Sequence, residues 1–544
     1  MRPTTPVTNS RQALQNTART SQDRRGSVLL IVLVFVMLLS LGVYTFTETA
    51  IVEAQATSMF GRDVQARTFA DSGIELAAAI LSGPPEETRG NLSHLPELFQ
   101  GVLMRDAKVA RGRGRFSIVA PVQSDPSATT IRFGLINESS KLNLNSLVKM
   151  ELDAAQTREI LMFLPEMTYE TADAILDWVD EDDTSRQYGA ERDYYETLQQ
   201  PYTAKDGPLD SLDELLLVSG VTSEMLYGED VNRNGLVDGN EDDGDGNPRL
   251  GWVAYLTAFS REANRRDDGT KRIDLNQKDL ADLYDQLEQE LDKGTARFVT
   301  AYRMNGPKNN EDGGRTPSSG TSRSSSGNRS SRFSSRSPSG QGAKVTRDGM
   351  DLTSEGGNKI KSIFDLVSVQ AEATIDGART DLDSPWSSNA IEMQEYLPRL
   401  IDVLSITSDE FIEGRVNINQ TRLEVLLGLP GMTENVAHAI VESMGIGSNG
   451  EPTTDVLGIR STTGWLFMEG LVDLEKMREL DKYLTTRGDV YRVQVLGAFD
   501  EGGPYSRLEA VIDATQQPAQ VVFLQDLSKL GRGYSHEMLL GVRF

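Results

Sequence analysis

The run Ser27–Phe46, SVLLIVLVFVMLLSLGVYTF, contains no charged residue. At about 1.5 Å per residue, a helix over it spans roughly 30 Å, the hydrocarbon core of one bilayer. Arg19, Arg24 and Arg25 precede it, opposed only by Asp23, while Glu48 and Glu53 follow. The basic flank predicts a cytoplasmic N-terminus and a chain that leaves on the far side. A secretory signal peptide competes with this reading, but its apolar core would be shorter and would end at a small-residue cleavage site. Here the helical pattern runs on through TETAIVEAQATSMFGRDVQARTFADSGIELAAAILSG, with no proline until Pro84. Apolar residues recur at Ile51, Ala54, Met59, Val64, Phe69, Ile74, Leu76 and Ile80. One helix is therefore expected from about Ser27 to Leu81, roughly 80 Å long, apolar all round in its first half and amphipathic in its second. The second half needs a partner surface.

Arg24-Arg25-Gly26-Ser27 joins the basic leader to the apolar run. A basic leader, a glycine and a long helix apolar at its start resemble the class III signal of type IV pilins and type II secretion pseudopilins. The resemblance implies cleavage by prepilin peptidase after Gly26, leaving Ser27 as the methylated first mature residue and the helix attached. Most members carry Glu at the fifth mature position; here it is Ile31. A carboxylate in that setting is costly unless it pairs with a cation, such as a neighbour's amine. The K-type minor pseudopilins also lack it. A plain single-pass anchor is the competing reading of the segment.

The chain has 544 residues and a formal net charge of −26, enough length for two or three domains. The acidic balance argues against nucleic acid as a partner, since phosphates are neutralised by Lys and Arg, and suits divalent cations. Without cysteine, a disulfide, a thiolate metal site and a cysteine nucleophile are excluded. The three histidines, His94, His438 and His536, are far apart in sequence, which gives a serine triad or a His-rich zinc site little support. No nucleophile–base set stands out, so no catalytic residues are assigned.

Residues 1–26 form a polar leader, 27–82 the stalk helix, and Gly83-Pro84-Pro85 its stop. Strands are expected at Arg115–Val122 and Ala128–Ile136, and at the far end at 489–500, 506–515 and 519–526. Two β blocks at opposite ends imply one sheet, split between 83–144 and 486–544, with a large insertion. The class is α+β, a pilin-like long helix packed on a small antiparallel sheet with a mainly helical inserted domain. The insertion contains a near-repeat: Lys141-Leu-Asn-Leu-Asn145, Arg272-Ile-Asp-Leu-Asn276 and Arg415-Val-Asn-Ile-Asn419. The final Asn of each suits a helix N-cap. Leu164-Pro-Glu-Met-Thr168 and Leu429-Pro-Gly-Met-Thr433 also align, with a weaker relative at Leu217–Thr222. These resemble helix-hairpin-helix or SAM-like units. They lack the second hairpin glycine that holds a DNA phosphate, so helical packing modules are expected. The Ser/Arg/Gly tract at 306–345 has too few apolar groups to offset chain entropy and reads as disordered, dividing lobe 145–305 from lobe 346–485.

Asp230-Val-Asn-Arg-Asn-Gly-Leu-Val-Asp-Gly-Asn-Glu241 fits a twelve-residue EF-type calcium loop. Asp230, Asn232 and Asn234 take positions 1, 3 and 5, and Gly235 permits the sharp turn at 6. Leu236 would donate its carbonyl, Asp238 sits at 9, and Glu241 closes the shell with two oxygens. A hard cation wants six to eight oxygens, so calcium fits. The exit, NEDDGDGNP, offers no second helix, which predicts an EF-like loop rather than a paired EF-hand. Asp242, Asp243 and Asp245 exceed what one ion needs. With Asp182, Asp183 and Glu191 they form a candidate second metal set, a solvated acidic surface being the alternative.

The stretches D-W-V-D-E-D-D (177–183), G-A-E-R-D-Y-Y (189–195), P-Y-T-A-K-D-G-P-L-D-S-L-D-E-L (201–215) and V-N-I-N (416–419) resemble the K-type minor pseudopilin family of type II secretion. The resemblance covers about 27–300 and 350–526. It implies calcium in the helical domain and a complex with the I- and J-type minor pseudopilins that caps the pseudopilus and primes its assembly on the inner-membrane secretion platform. It also implies a single-pass inner-membrane protein with its bulk in the periplasm. A calcium-binding single-pass surface protein or a minor type IV pilin subunit is the alternative.

Overall fold

The computed structural model describes residues 13–83, 92–123, 125, 127–150, 152–308, 345–444 and 459–540. The long helix spans Ala13–Leu81, about 100 Å. It begins at Ala13 and not at Ser27, so the described part of the leader is helical as well. No glycine or proline lies between Ala13 and Arg25 to stop the pattern. Every residue from 28 to 46 is exposed, and Val28–Leu81 is long and apolar enough to cross a membrane. The helix closes with Ser82 and Gly83 N–H groups donating to the Ala78 and Ile80 carbonyls. Pro84 and Pro85 lie outside the described residues.

The sheet joins both ends of the chain. Its order is Val102–Arg105, Gly114–Pro121, Val490–Phe499, Tyr505–Asp513, Gln520–Asp526, antiparallel throughout. The central pairing, Val495 opposite Ile118, links residues that the insertion separates in sequence. The strand expected at Ala128–Ile136 is broken. Only Ile131–Arg132 and Ile136–Asn137 pair with the sheet. Between them Phe133 and Leu135 exchange backbone hydrogen bonds with Leu95 and Leu92, which draws the segment away.

One helix stripe, Ala66, Phe69, Ala70, Gly73, Ile74, Ala77 and Leu81, is buried against this sheet. Its spacing of three and four is that of a single helical face. The seam is lined with small residues. A Cβ on Gly497 would lie 2.2 Å from the Ala66 carbonyl, and one on Gly73 would lie 2.5 Å from Val495. The sheet covers less of the helix than the amphipathic pattern implies, because Ile51, Ala54, Met59 and Val64 stay exposed. The ten-residue strand Val490–Phe499 is about 33 Å long, a span of roughly 22 helical residues. Arg62 marks the limit. Its guanidinium stacks on Phe499 at 4.4 Å and donates to the Arg111 and Gly502 carbonyls.

Each copy of the near-repeat makes a short parallel pair. Leu142–Asn143 joins Leu256–Thr257, Ile273–Asp274 joins Leu404–Ser405, and Val416–Asn417 joins Leu484–Thr485. The third residue of each copy, Asn143, Asp274 or Asn417, accepts the backbone N–H two residues on. The final Asn is therefore not the cap that was expected. Asn145 and Asn276 instead donate to two carbonyls each, Leu209 with Ala258 and Ile360 with Ile406, and Asn419 donates to that of Arg460. The five-residue signature is a clip between distant loops.

The two proline-containing turns join helix pairs, Ala154–Leu161 with Tyr169–Val179 and Leu423–Gly428 with Glu434–Ser443. Glu166 and Gly431 take positive φ at matching positions. The pairs pack on each other where Gly428 faces the Ile160 carbonyl. One hydrophobic core, from Ala128 to Leu484, takes in elements on both sides of the 306–345 tract. Helix Lys293–Asn305 packs on strand Gln370–Ile375, and Arg303 and Asn358 exchange hydrogen bonds across the tract. Residues 309–344 lie outside those described.

Candidate metal centre

The 230–241 turn is entered from helix Ser223–Tyr227, and no helix follows it before Trp252–Ala254. Asp230 is buried. Its two carboxylate oxygens accept from the backbone N–H groups of Asn234 and Gly235 at 2.9 and 2.7 Å. Glu241 closes the ring from the other end, accepting from the Asn232 and Asp238 N–H groups at 2.9 and 3.2 Å. Asp238 accepts from the Asn232 and Asn234 side-chain amides. All of the expected side-chain donors thus meet in one turn. Gly235 supplies the left-handed residue at φ +81°, pressed on Pro121. Leu236 packs in the sheet core and Val237 in the helical core.

Burial pushes the Asp230 carboxyl up to about 7. The Gly235 and Asn234 N–H groups oppose the rise, Glu241 adds to it, and Arg507 opposes it. A buried carboxylate beside a second one has the chemistry a hard cation relieves. Asp230, Asn232, Asn234, the Leu236 carbonyl, Asp238 and Glu241 would hold calcium there. Among the described residues no three Asp, Glu or His side chains already stand at mutual ligand spacing. The carboxylates are turned onto N–H donors of the loop.

The second set is split. Asp242, Asp243 and Asp245 form a separate exposed turn, each taking the N–H two residues on, with Asp243 paired to Arg249 at 2.8 Å. Asp182 and Asp183 are exposed, and Asp182 accepts the Thr184 N–H. Glu191 is only 6 % exposed, and neither of its oxygens has a hydrogen-bond partner. Burial raises it to about 7, and the charges that add most to the rise are Asp177, Asp180, Asp206 and Asp182. Asp180 and Asp206 each have one further buried oxygen without a partner. Arg186 is the cation that binds Asp177 and Asp180, at 2.7 and 2.5 Å. Gly189 makes room, since a Cβ there would lie 1.8 Å from Asp177. The cluster around buried Asp177 and Glu191 is completed by the partly exposed Asp180 and Asp206. The sequence held one local signal for it, a glycine two residues before Glu191.

A long helix seated on an antiparallel sheet whose strands flank a large helical insertion defines a pilin-like α+β fold. Residues 140–227 match the family model described as type II secretion system (T2SS), protein K. Over these residues the chain is similar to the protein K family, the one that the K-type resemblance in the sequence points to. Among solved structures, a chain of the GspK-GspI-GspJ complex from the enterotoxigenic Escherichia coli type 2 secretion system aligns over 87% of this chain and 99% of its own. The identity is 11% and the TM-score 0.37. No curated protein matches.

Proposed function

We propose that this protein is a minor pseudopilin that caps the pseudopilus tip and promotes its assembly for protein export across the outer membrane. The observation that carries the reading is the match of residues 140–227 to the protein K family model, in an insert whose flanking strands form the sheet that seats on the stalk helix. A bulky insert beside a stalk bars another subunit from stacking above it, and the uncharged run keeps Ile31 where stacking subunits use a carboxylate. The role is structural, without catalysis. The partners are the I- and J-type minor pseudopilins, the pseudopilus and the inner-membrane platform. The stalk spans the inner membrane once, with the bulk of the chain in the periplasm.

Calcium in the 230–241 loop would stiffen the domain that meets partners. Processing by prepilin peptidase after Gly26 leaves an N-methylated Ser27. Mass spectrometry of the membrane form together with pull-down of tagged protein tests the reading. A mature N-terminus at Ser27 and recovery of the two minor pseudopilins are expected. Retention of Met1–Arg25, or pilus subunits in place of those partners, overturns it.

A further inference from the structure

The 230–241 loop belongs to the helical insert, yet its backbone is gripped by the sheet. Three successive carbonyls face outward from the loop, and each meets a buried donor from the other domain. Arg507, on strand Tyr505–Asp513, donates to the Asn232 carbonyl. Gln494, on Val490–Phe499, donates to the Arg233 carbonyl at 2.9 Å. The Tyr534 hydroxyl, from the C-terminal segment, donates to the Asn234 carbonyl at 2.7 Å and lies 2.5 Å from Gln494 Oε1. Asn234 returns a side-chain hydrogen bond to the Gly533 carbonyl at 2.5 Å. Arg507, Gln494, Tyr534 and Asn234 are all buried. Leu236, one residue past the turn, packs in the sheet core.

Each gripped carbonyl belongs to the segment that carries ligand positions 3 and 5. Arg507 also donates to Asn232 Oδ1 at 3.4 Å, and Asn234 Oδ1 accepts the Leu236 N–H at 2.8 Å; the side-chain oxygens of these residues can turn to one ion only when their backbone is held at the right height. The same backbone seats the insert on the sheet. We infer that cation occupancy of the loop and seating of the helical insert on the sheet are one coupled equilibrium, with Arg507, Gln494 and Tyr534 as positioning residues. This rests on the calcium reading of the loop. Such coupling is reciprocal, so loosening the grip weakens calcium binding by the same factor that calcium tightens the seat.

The test uses the full chain in detergent, with calcium itself as the probe. Calorimetric titration compares the native chain with Tyr534→Phe and Gln494→Ala, neither of which removes a ligand. A loss of affinity of about fivefold or more is expected for each, with Arg507→Lys as a second milder variant should one misfold. Because the chain has no cysteine, a spin-label pair at Thr68→Cys and Glu224→Cys reports the stalk-to-insert distance without background. Calcium is expected to narrow that distance distribution and a chelator to broaden it. Variants that bind calcium as tightly as the native chain, or a distribution indifferent to calcium, overturn the coupling alone. A native chain that binds no calcium removes the loop reading and the coupling with it.

Discussion

Asp230 and Glu191 pose the same problem at two places, since each is a carboxyl buried among like charges. The ordinary Asp value is about 3.9, so the folded chain holds an Asp230 proton up to about 7 that the unfolded chain has already lost. The unfolded state thus binds fewer protons between those values, and chelated protein loses stability as pH rises from about 4 to about 7. Calcium bound at the proposed loop site would reverse the loss by favouring the ionised form. Thermal melts should show calcium raising the Tm more at pH 8 than at pH 5.5, whereas an equal rise at both would mean that Asp230 takes no part. Glu191→Gln removes an unpaired buried charge and should stabilise the protein by about 1 kcal/mol in urea denaturation. Gly189→Ala drives a methyl onto Asp177 and should cost roughly 1–3 kcal/mol in chemical denaturation.

Among elements, the clip formed by each near-repeat has the clearest consequence. Asn276 holds the carbonyls of Ile360 and Ile406 and accepts the Ile360 N–H at 2.9 Å. Asn276→Ala leaves these groups unpaired in a half-buried site, at an expected cost of about 1–3 kcal/mol by urea denaturation. Asn276→Asp keeps the acceptor and loses both donated bonds, so it should fall between. What the sequence disclosed at this scale follows from range. The hydrogen-bonded turn at 230–241 was legible because its oxygen-bearing side chains and its glycine lie within twelve consecutive residues, and the terminal strands because alternation is local. The role of the final Asn was not, since its partners lie far along the chain and only the fold brings them near. The broken strand at 128–136 failed for the same reason, its register being taken by residues 92–95. The partners of Glu191 were hidden likewise, because Asp206 joins Asp177 and Asp180 only through tertiary packing.

For the molecule as a whole, the seam between stalk and sheet is the joint on which the architecture depends. Gly497→Val would drive a side chain into the Ala66 and Ala70 backbone, and no rotamer escapes backbone. Loss of the folded sheet in far-UV circular dichroism and rapid proteolysis after the stalk are the expected outcomes. Composition at 306–345 marks where a core is absent and says nothing of which elements meet around it. Here the helix before the tract and the hairpin after it share one core.

Between the lipid-length run and the first residue under the sheet lies a bare collar, with Ile51, Val52, Met59 and Phe60 open to solvent. Deleting only residues 1–46 should therefore yield a sticky product that elutes as aggregates in size-exclusion chromatography, while deleting residues 1–60 should give a well-behaved single species. A subunit set free alone would be vulnerable at this waist, and its lifetime would depend on how soon companions shelter it.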